Sequence, residues 1–348
     1  MSEEPISLNS REDEQEFNIL RPRTLHGFLG QKQIKDNLSV FINAALQRND
    51  VLDHVFLSGP PGLGKTTLAV VIAHEMRSKL RITSAPALEK PKDLAGILTT
   101  LQENGIFFID EIHRLRPAIE EILYTAMEEF SLDWVIGQGP SARTIRIPVP
   151  KFTLIGATTR PGSVSSPLHT RFGIQFRLQY YKQDEIKEIL YHTASILEIS
   201  LDSDAADIVA ARCRGTPRVA NWLIRRLRDF SQIHKSKRIH RDIAEYGLRQ
   251  LGIDEHGLDE RDRAILSTIV RYFRGGPVGI DTLTATLGEN SETLEYYYEP
   301  YLIQQGWLRR SPRGRVATEK TYRLFNIKVP EKDRDNEATL FDEQDMNN

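Results

Sequence analysis

The stretch Gly59-Pro60-Pro61-Gly62-Leu63-Gly64-Lys65-Thr66 constrains this chain more than any other. It matches G-x-x-x-x-G-K-[ST], follows the apolar run Val55-Phe56-Leu57-Ser58 directly and opens a helical pattern. Gly59, Gly62 and Gly64 let backbone N–H groups curl around phosphate oxygens, and the helix N-terminus behind them favours negative charge. Lys65 then reaches the β- and γ-phosphates, while Thr66 offers a hydroxyl to Mg²⁺. A strand, a glycine loop and a helix in this order predict an α/β sheet built to hold ATP.

The segment Ile106-Phe107-Phe108-Ile109-Asp110-Glu111 supplies the other half of such a site, an apolar strand ending in two carboxylates. In a parallel sheet this strand end lies beside the phosphate loop. There Asp110 can hold Mg²⁺ through water, and Glu111 can polarise the attacking water. His113 invites a metal reading, but no further His or Cys supports one, and a structural or supporting role fits as well.

Opposite charges nearly cancel, 46 Lys and Arg against 48 Asp and Glu, so any case for nucleic-acid binding must rest on local clustering. No stretch approaches the roughly 20 apolar residues needed to span a bilayer. Ser2 to Glu16 is acidic and polar, unlike a signal peptide, and the single cysteine, Cys213, excludes internal disulfides. The chain therefore reads as cytoplasmic, with Cys213 a buried thiol on a helix.

Five segments emerge. Residues 1–18 lack apolar periodicity and read as a flexible arm. Residues 19–182 alternate buried-strand runs (55–58, 106–109, 153–156) with helical patterns, the mark of a parallel sheet. Within them, 133–147 reads as a projecting β-hairpin around a Gly-Gln-Gly-Pro-Ser turn. Residues 183–255 show helical spacing only, over 183–198, 203–213, 216–233 and 241–251. Residues 256–328 read as three helices and a hairpin, the winged-helix plan, and 329–348 as a disordered acidic tail.

The phosphate loop, Ile109 to Leu115, Leu20-Arg21-Pro22, Gly156 to Pro161, Thr170-Arg171-Phe172 and Gly215 to Arg218 resemble motifs of the AAA+ ATPases. As a full set, from about Leu20 to Lys328, they resemble the RuvB family of bacterial Holliday-junction branch-migration motors. The resemblance implies a parallel-sheet ATPase domain, an all-helical lid and a winged-helix domain. It implies that Thr159 is the polar sensor after the third strand, with Thr158 as the neighbouring alternative. It implies further that Arg171 is an arginine finger given to the next subunit's ATP, a role that suits a guanidinium. Arg218 becomes the second sensor, reaching from the lid. Leu20, Arg21 and Tyr181 become adenine-side contacts, core packing being the other reading of Leu20 and Tyr181, and Thr67 joins Thr66 in the nucleotide set.

Two partner surfaces follow. By resemblance, 133–147 docks onto a RuvA-like junction-binding protein, with Trp134, Ile136, Ile145 and Ile147 as its apolar patch. Arg309, Arg310, Arg313, Arg315, Lys320 and Arg323 cluster about the wing with Glu319 as the only acid among them, a density that implies phosphate contacts. Arg310 and Arg315 match the family's DNA-contact positions; Ser291 stands where a third, basic contact is expected. The expected protein is a hexameric ring that uses ATP to translocate duplex DNA through Holliday junctions. An origin-recognition or helicase-loading ATPase shares the domain order, but the 156–161 and 170–172 motifs and the hairpin argue against it. A clamp loader would end in a helical collar, and an unfoldase would carry an aromatic pore loop between Thr83 and Gly105.

Overall fold

The structure, a computed structural model, describes residues 20–136 and 143–330. The chain divides into two compact units between Glu245 and Tyr246. The arm 1–18, the hairpin turn 137–142 and the tail beyond 330 lie outside the described residues.

The first unit is built on a five-stranded parallel sheet of β1 (Val55–Ser58), β2 (Leu80–Ser84), β3 (Gly105–Asp110), β6 (Phe152–Thr158) and β7 (Ile174–Arg177). Its order is β2-β3-β6-β1-β7. The three central strands are apolar on successive residues because helices cover both faces, and Phe56, Phe107, Leu154 and Phe172 meet in one core. Complete burial of a side chain such as Phe107 contributes roughly 1.5–3 kcal/mol. The edge strands β2 and β7 escaped the sequence reading: β2 is half exposed, and β7 alternates buried and exposed residues. One expectation is corrected by the order. β6 runs between β1 and β3, so the carboxylate-bearing strand end is one strand removed from the phosphate loop rather than its immediate neighbour.

Helices α1 (Lys32–Arg48), α2 (Lys65–Glu75), α3 (Pro91–Leu98), α4 (Pro117–Glu129) and the single turn α5 (Ser166–His169) accompany the sheet. Between α4 and β6 the chain forms the expected antiparallel ribbon, β4 (Ser131–Ile136) and β5 (Arg143–Pro148). Its register pairs Leu132 with Ile147 and Trp134 with Ile145 on one face. Burial falls along that face: Leu132 is buried, Ile147 packs on the core, Trp134 is half-buried and Ile145 is exposed. Only the outer part of the expected apolar patch therefore faces solvent, and the side chain of Ile136 lies outside the described residues. Arg146 of β5 is paired with Glu129 and Asp133.

The helical segment holds α6 (Gln183–Ile196), α7 (Ser203–Arg212), α8 (Pro217–Ile233) and α9 (Arg241–Gln250). Glu185 accepts from the Lys182 N–H at 2.8 Å, satisfying a donor at the start of α6. Pro217 opens α8, where its missing N–H costs nothing. The segment is not wholly helical, since β8 (Ser200–Leu201) and β9 (Arg238–Ile239) form a short parallel pair. Cys213 is fully buried, and its thiol donates to the Val209 carbonyl.

In the second unit Asp259 and Asp262 exchange backbone N–H bonds of 2.8 and 3.0 Å at the start of α10 (Glu260–Arg271). There follow α11 (Ile280–Leu287) and a helical run made of α12 (Ser291–Thr293), a π-turn at Leu294–Tyr298 and α13 (Glu299–Gln304). The ribbon β10 (Leu308–Ser311) with β11 (Gly314–Ala317), then α14 (Glu319–Leu324), complete the winged-helix plan. Leu266, Ile269, Leu302, Trp307 and Tyr322 share its core.

Candidate functional site

The loop between β1 and α2 turns back on itself through left-handed glycines, with φ of 138° at Gly59, 80° at Gly62 and 99° at Gly64. At Gly59 the constraint is double, because a Cβ there would also sit 2.6 Å from the Leu178 carbonyl oxygen. Gly64 occupies the N-cap of α2 without a side-chain cap, so the first N–H groups of the helix remain available to an anion. Lys65 is buried, and its Nζ donates to the carbonyls of Gly59 at 2.7 Å and Pro60 at 2.9 Å. Burial pulls its pKa down to about 8; the charges of Asp110 and Glu111 oppose the shift, and that of Arg218 adds to it. Charges at the end of β3 and on the lid thus act on the lysine.

Asp110 Oδ1 accepts the Glu111 N–H at 2.9 Å, and Glu111 sits in the left-handed region at φ 50°. The Glu111 carboxylate accepts from Arg114 at 3.0 Å across a solvent-exposed pair. Asp110 Oδ2 and the Thr66 hydroxyl make no hydrogen bond among the described residues, leaving hard oxygen donors of the kind Mg²⁺ takes. Thr158 ends β6 fully buried, its Oγ1 2.9 Å from His113 Nδ1 and accepting the Arg160 N–H at 2.9 Å. Thr159, just past the strand, is half-buried. His113 is thus tied to the end of β6, and no metal-binding cluster exists among the described residues.

On the lid side the Arg218 N–H donates to Gly62 O at 3.3 Å, and the Tyr181 hydroxyl to Leu63 O at 3.3 Å. Burial raises the Tyr181 phenol well above its ordinary pKa, so it stays a donor. A pocket open to solvent beside the loop is lined by Leu20, Arg21, Gly64, Thr67 and Tyr181, all expected from sequence. It is also lined by His192, Thr193 and Asn221, which sequence reasoning missed. Thr193 donates to Asn221 at 2.8 Å between α6 and α8. A signal existed: Thr193 is a polar residue on the same helical stripe as the buried Ile186, Ile189 and Leu190.

Arg171 is the expected site residue that the first unit does not bring into this cleft. Its Nη1 donates to Pro167 O at 2.7 Å, and its Nε lies 3.0 Å from Glu128 Oε1 without hydrogen-bond alignment. Its guanidinium lies 4.5 Å from the centre of the Tyr124 ring. Among the described residues none of its polar contacts is to 59–66.

At the wing, Arg310 and Arg315 are engaged by two carboxylates, Glu295 and Glu299, which the sequence reading did not place there. Lys320 donates to Gln305 O at 2.8 Å and lies over the Trp307 ring, while Arg323 pairs with Glu319 at 2.6 Å. Much of the expected basic cluster is thus tied within the domain. Ser291 begins α12 behind Asn290, whose side chain accepts the Glu292 N–H at 2.8 Å.

A glycine loop after a central parallel strand, a carboxylate pair at the end of β3 and a helical lid over the same cleft define a nucleotide-binding P-loop ATPase of the AAA+ type. Residues 20–178 match the family model described as the Holliday junction DNA helicase RuvB P-loop domain. Residues 181–254 match the RuvB AAA lid domain, and 255–326 the RuvB C-terminal winged helix domain. The chain belongs to the RuvB family. It is 58% identical over 324 residues to the "Holliday junction branch migration complex subunit RuvB" of Treponema denticola, covering 93% of this chain and 94% of that protein. The subunit of the same name from Salinibacter ruber is 51% identical over 96% of each chain. A solved Thermotoga maritima structure described as the RuvB Holliday junction branch migration motor matches with a TM-score of 0.82 and 48% identity, covering 90% of this chain and 100% of that one. No helix among the described residues is long and apolar enough to cross a membrane.

Proposed function

We propose that this protein hydrolyses ATP to drive duplex DNA through Holliday junctions, working in recombination and repair with a RuvA-like junction-binding partner. One observation carries the reading: Lys65 sits in the glycine loop and the Arg218 N–H of the lid donates to Gly62 of that same loop, in a chain whose relatives are named branch-migration subunits. Lys65 leaves the carbonyls of Gly59 and Pro60 and, with the N–H groups of 62–66, binds the triphosphate. Mg²⁺ held by Thr66 and Asp110 would neutralise charge between the β- and γ-phosphates. Glu111 accepts a proton from the attacking water once Arg114 gives way. Thr159, or the buried Thr158 behind it, orients that water, and Arg218 senses the phosphates from the lid. Leu20, Arg21, Thr67 and Tyr181 enclose the base.

Arg171 serves the ATP of the adjacent subunit in a hexameric ring; its lack of contact with the loop of its own chain supports this. The exposed outer part of the 133–147 hairpin, Ile145 above all, meets the partner. The winged-helix unit grips DNA phosphates through Arg310, with Arg315 behind it. On this reading the protein acts in the cytoplasm. The test is ATP-dependent dissociation of a synthetic four-way junction, with and without the junction-binding partner. Dissociation that needs ATP and rises with the partner supports the motor; ATP-dependent binding to plain origin duplex, with no dissociation, would favour an initiator.

A further inference from the structure

On the β10–β11 ribbon Arg310 stands directly opposite Arg315. Like charges facing each other across two strands destabilise the pairing. Glu299 resolves the conflict from α13. Its Oε1 accepts from Arg310 Nε at 2.7 Å and Arg315 Nε at 3.2 Å, and its Oε2 accepts from Arg315 Nη2 at 2.8 Å. The two arginines are nevertheless unequal. The Arg315 side chain is 11% exposed and the Glu299 side chain 6%, so this pair forms the floor of the arrangement. Arg310 is 52% exposed, and its Nη2 reaches Glu299 Oε2 only at 3.3 Å.

Arg310 Nη2 also holds a second, more exposed anion. Glu295, four residues before Glu299 and within the π-turn, accepts from Arg310 Nη2 and lies 3.6 Å from Arg315 Nη2. Its side chain is 32% exposed, so it can swing into water, whereas Glu299 cannot. A carboxylate on the outer N–H of a guanidinium occupies the position a phosphate oxygen would take. We propose that Glu295 is a stand-in for DNA phosphate on Arg310, displaced each time the wing takes hold of the backbone. The inference rests on the DNA-gripping reading of the wing. On this arrangement each grip exchanges one anion for another on a guanidinium already held in place by Glu299. Such a contact is specific in geometry, modest in affinity and readily released.

The experiment measures the affinity of the full chain for a fluorescently labelled duplex, by anisotropy, for wild type, Glu295→Gln, Arg310→Ala and the double variant. Thermal unfolding of each confirms that the fold is kept. Glu295→Gln should tighten binding by about two- to fivefold, the scale of one exposed ion pair. In the Arg310→Ala background the same substitution should change nothing. Unchanged or weaker binding by Glu295→Gln overturns the proposal. So does an equal gain with and without Arg310, which would show only that removing any negative charge favours DNA. If Arg310→Ala itself leaves affinity untouched, the wing reading has failed and the stand-in falls with it; weakening by Arg310→Ala without a gain from Glu295→Gln sinks the stand-in alone.

Discussion

On the proposed reading the phosphate loop and the wing both meet phosphate, and they prepare for it in opposite ways. In the loop, Lys65 is buried and held by two neutral carbonyls, with its pKa drawn down to about 8. At the wing, Arg310 and Arg315 are met by full carboxylates. A buried cation with only carbonyl partners gains much from an arriving phosphate, because its own solvation has been removed. A guanidinium that must surrender a carboxylate gains little. The first arrangement suits a substrate bound tightly and transformed; the second suits a track that is held and let go.

The largest effect tests whether the cleft is complete within one chain. An arginine finger contributes ~10³–10⁵-fold to turnover, so Arg171→Ala should nearly abolish hydrolysis. Mixing it with Lys65→Ala subunits should restore some activity, because an intact pocket then borrows its neighbour's Arg171. Co-assembly without recovery, read in a steady-state ATPase assay, would return Arg171 to a purely structural role against Glu128 and Tyr124.

Next in size is Glu111→Gln, which keeps the shape and removes the base, with an expected loss of ~10²–10⁴-fold in turnover and little change in ATP binding. Wild-type hydrolysis by this variant would move the base elsewhere. The depressed pKa of Lys65 gives a smaller, pH-dependent effect. Only the protonated lysine pairs with phosphate, and above a pKa of about 8 the free lysine is mostly neutral. ATP affinity should therefore fall as pH rises from about 8, approaching tenfold per unit. Binding calorimetry in buffers of different ionisation enthalpy should show proton uptake above about pH 8 and almost none near pH 6.5. Absence of uptake would mean that the loop does not strip the lysine of solvent, and the contrast with the wing would dissolve.

The smallest effect separates the two wing arginines. Arg310→Ala should reduce the slope of log affinity against log salt by ~0.9, similarly for unrelated duplexes. Arg315→Ala should act first on the domain, lowering its melting temperature, because Glu299 would be left buried without its buried partner. Equal slope changes with no loss of stability would make Arg315 a second direct contact.

Elements with strong local signals were legible without the structure: the glycine loop, the apolar runs of β1, β3 and β6, and the periodic helices of lid and wing. Edge strands were not. Leu80 to Ser84 carries Arg81 and Thr83 because one side of β2 is open, and that pattern is hard to distinguish from a turn. The order of the sheet was also hidden, since nothing local indicates that β6 separates β1 from β3. The same limit misled the view of the wing. Counting charges near Arg310 in sequence finds Glu319, whereas the acids that meet it, Glu295 and Glu299, arrive from another element through tertiary packing. His192 and Asn221 escaped for a similar reason, as each belongs to a cavity only once α6 and α8 come together.

Glu128 and Glu129 are consecutive residues at the end of α4, and they face separate tasks. The first lies against Arg171; the second, with Asp133, holds Arg146 on the outer ribbon. A helix end is stiff over one residue, so whatever twists or lifts Glu129 carries Glu128 with it. The contact on Arg171 and the anchor of the ribbon thus hang from neighbouring residues of one helix end. The root of the ribbon, Leu132 and Ile147, is set in the core, so that helix end and the ribbon share one buried footing.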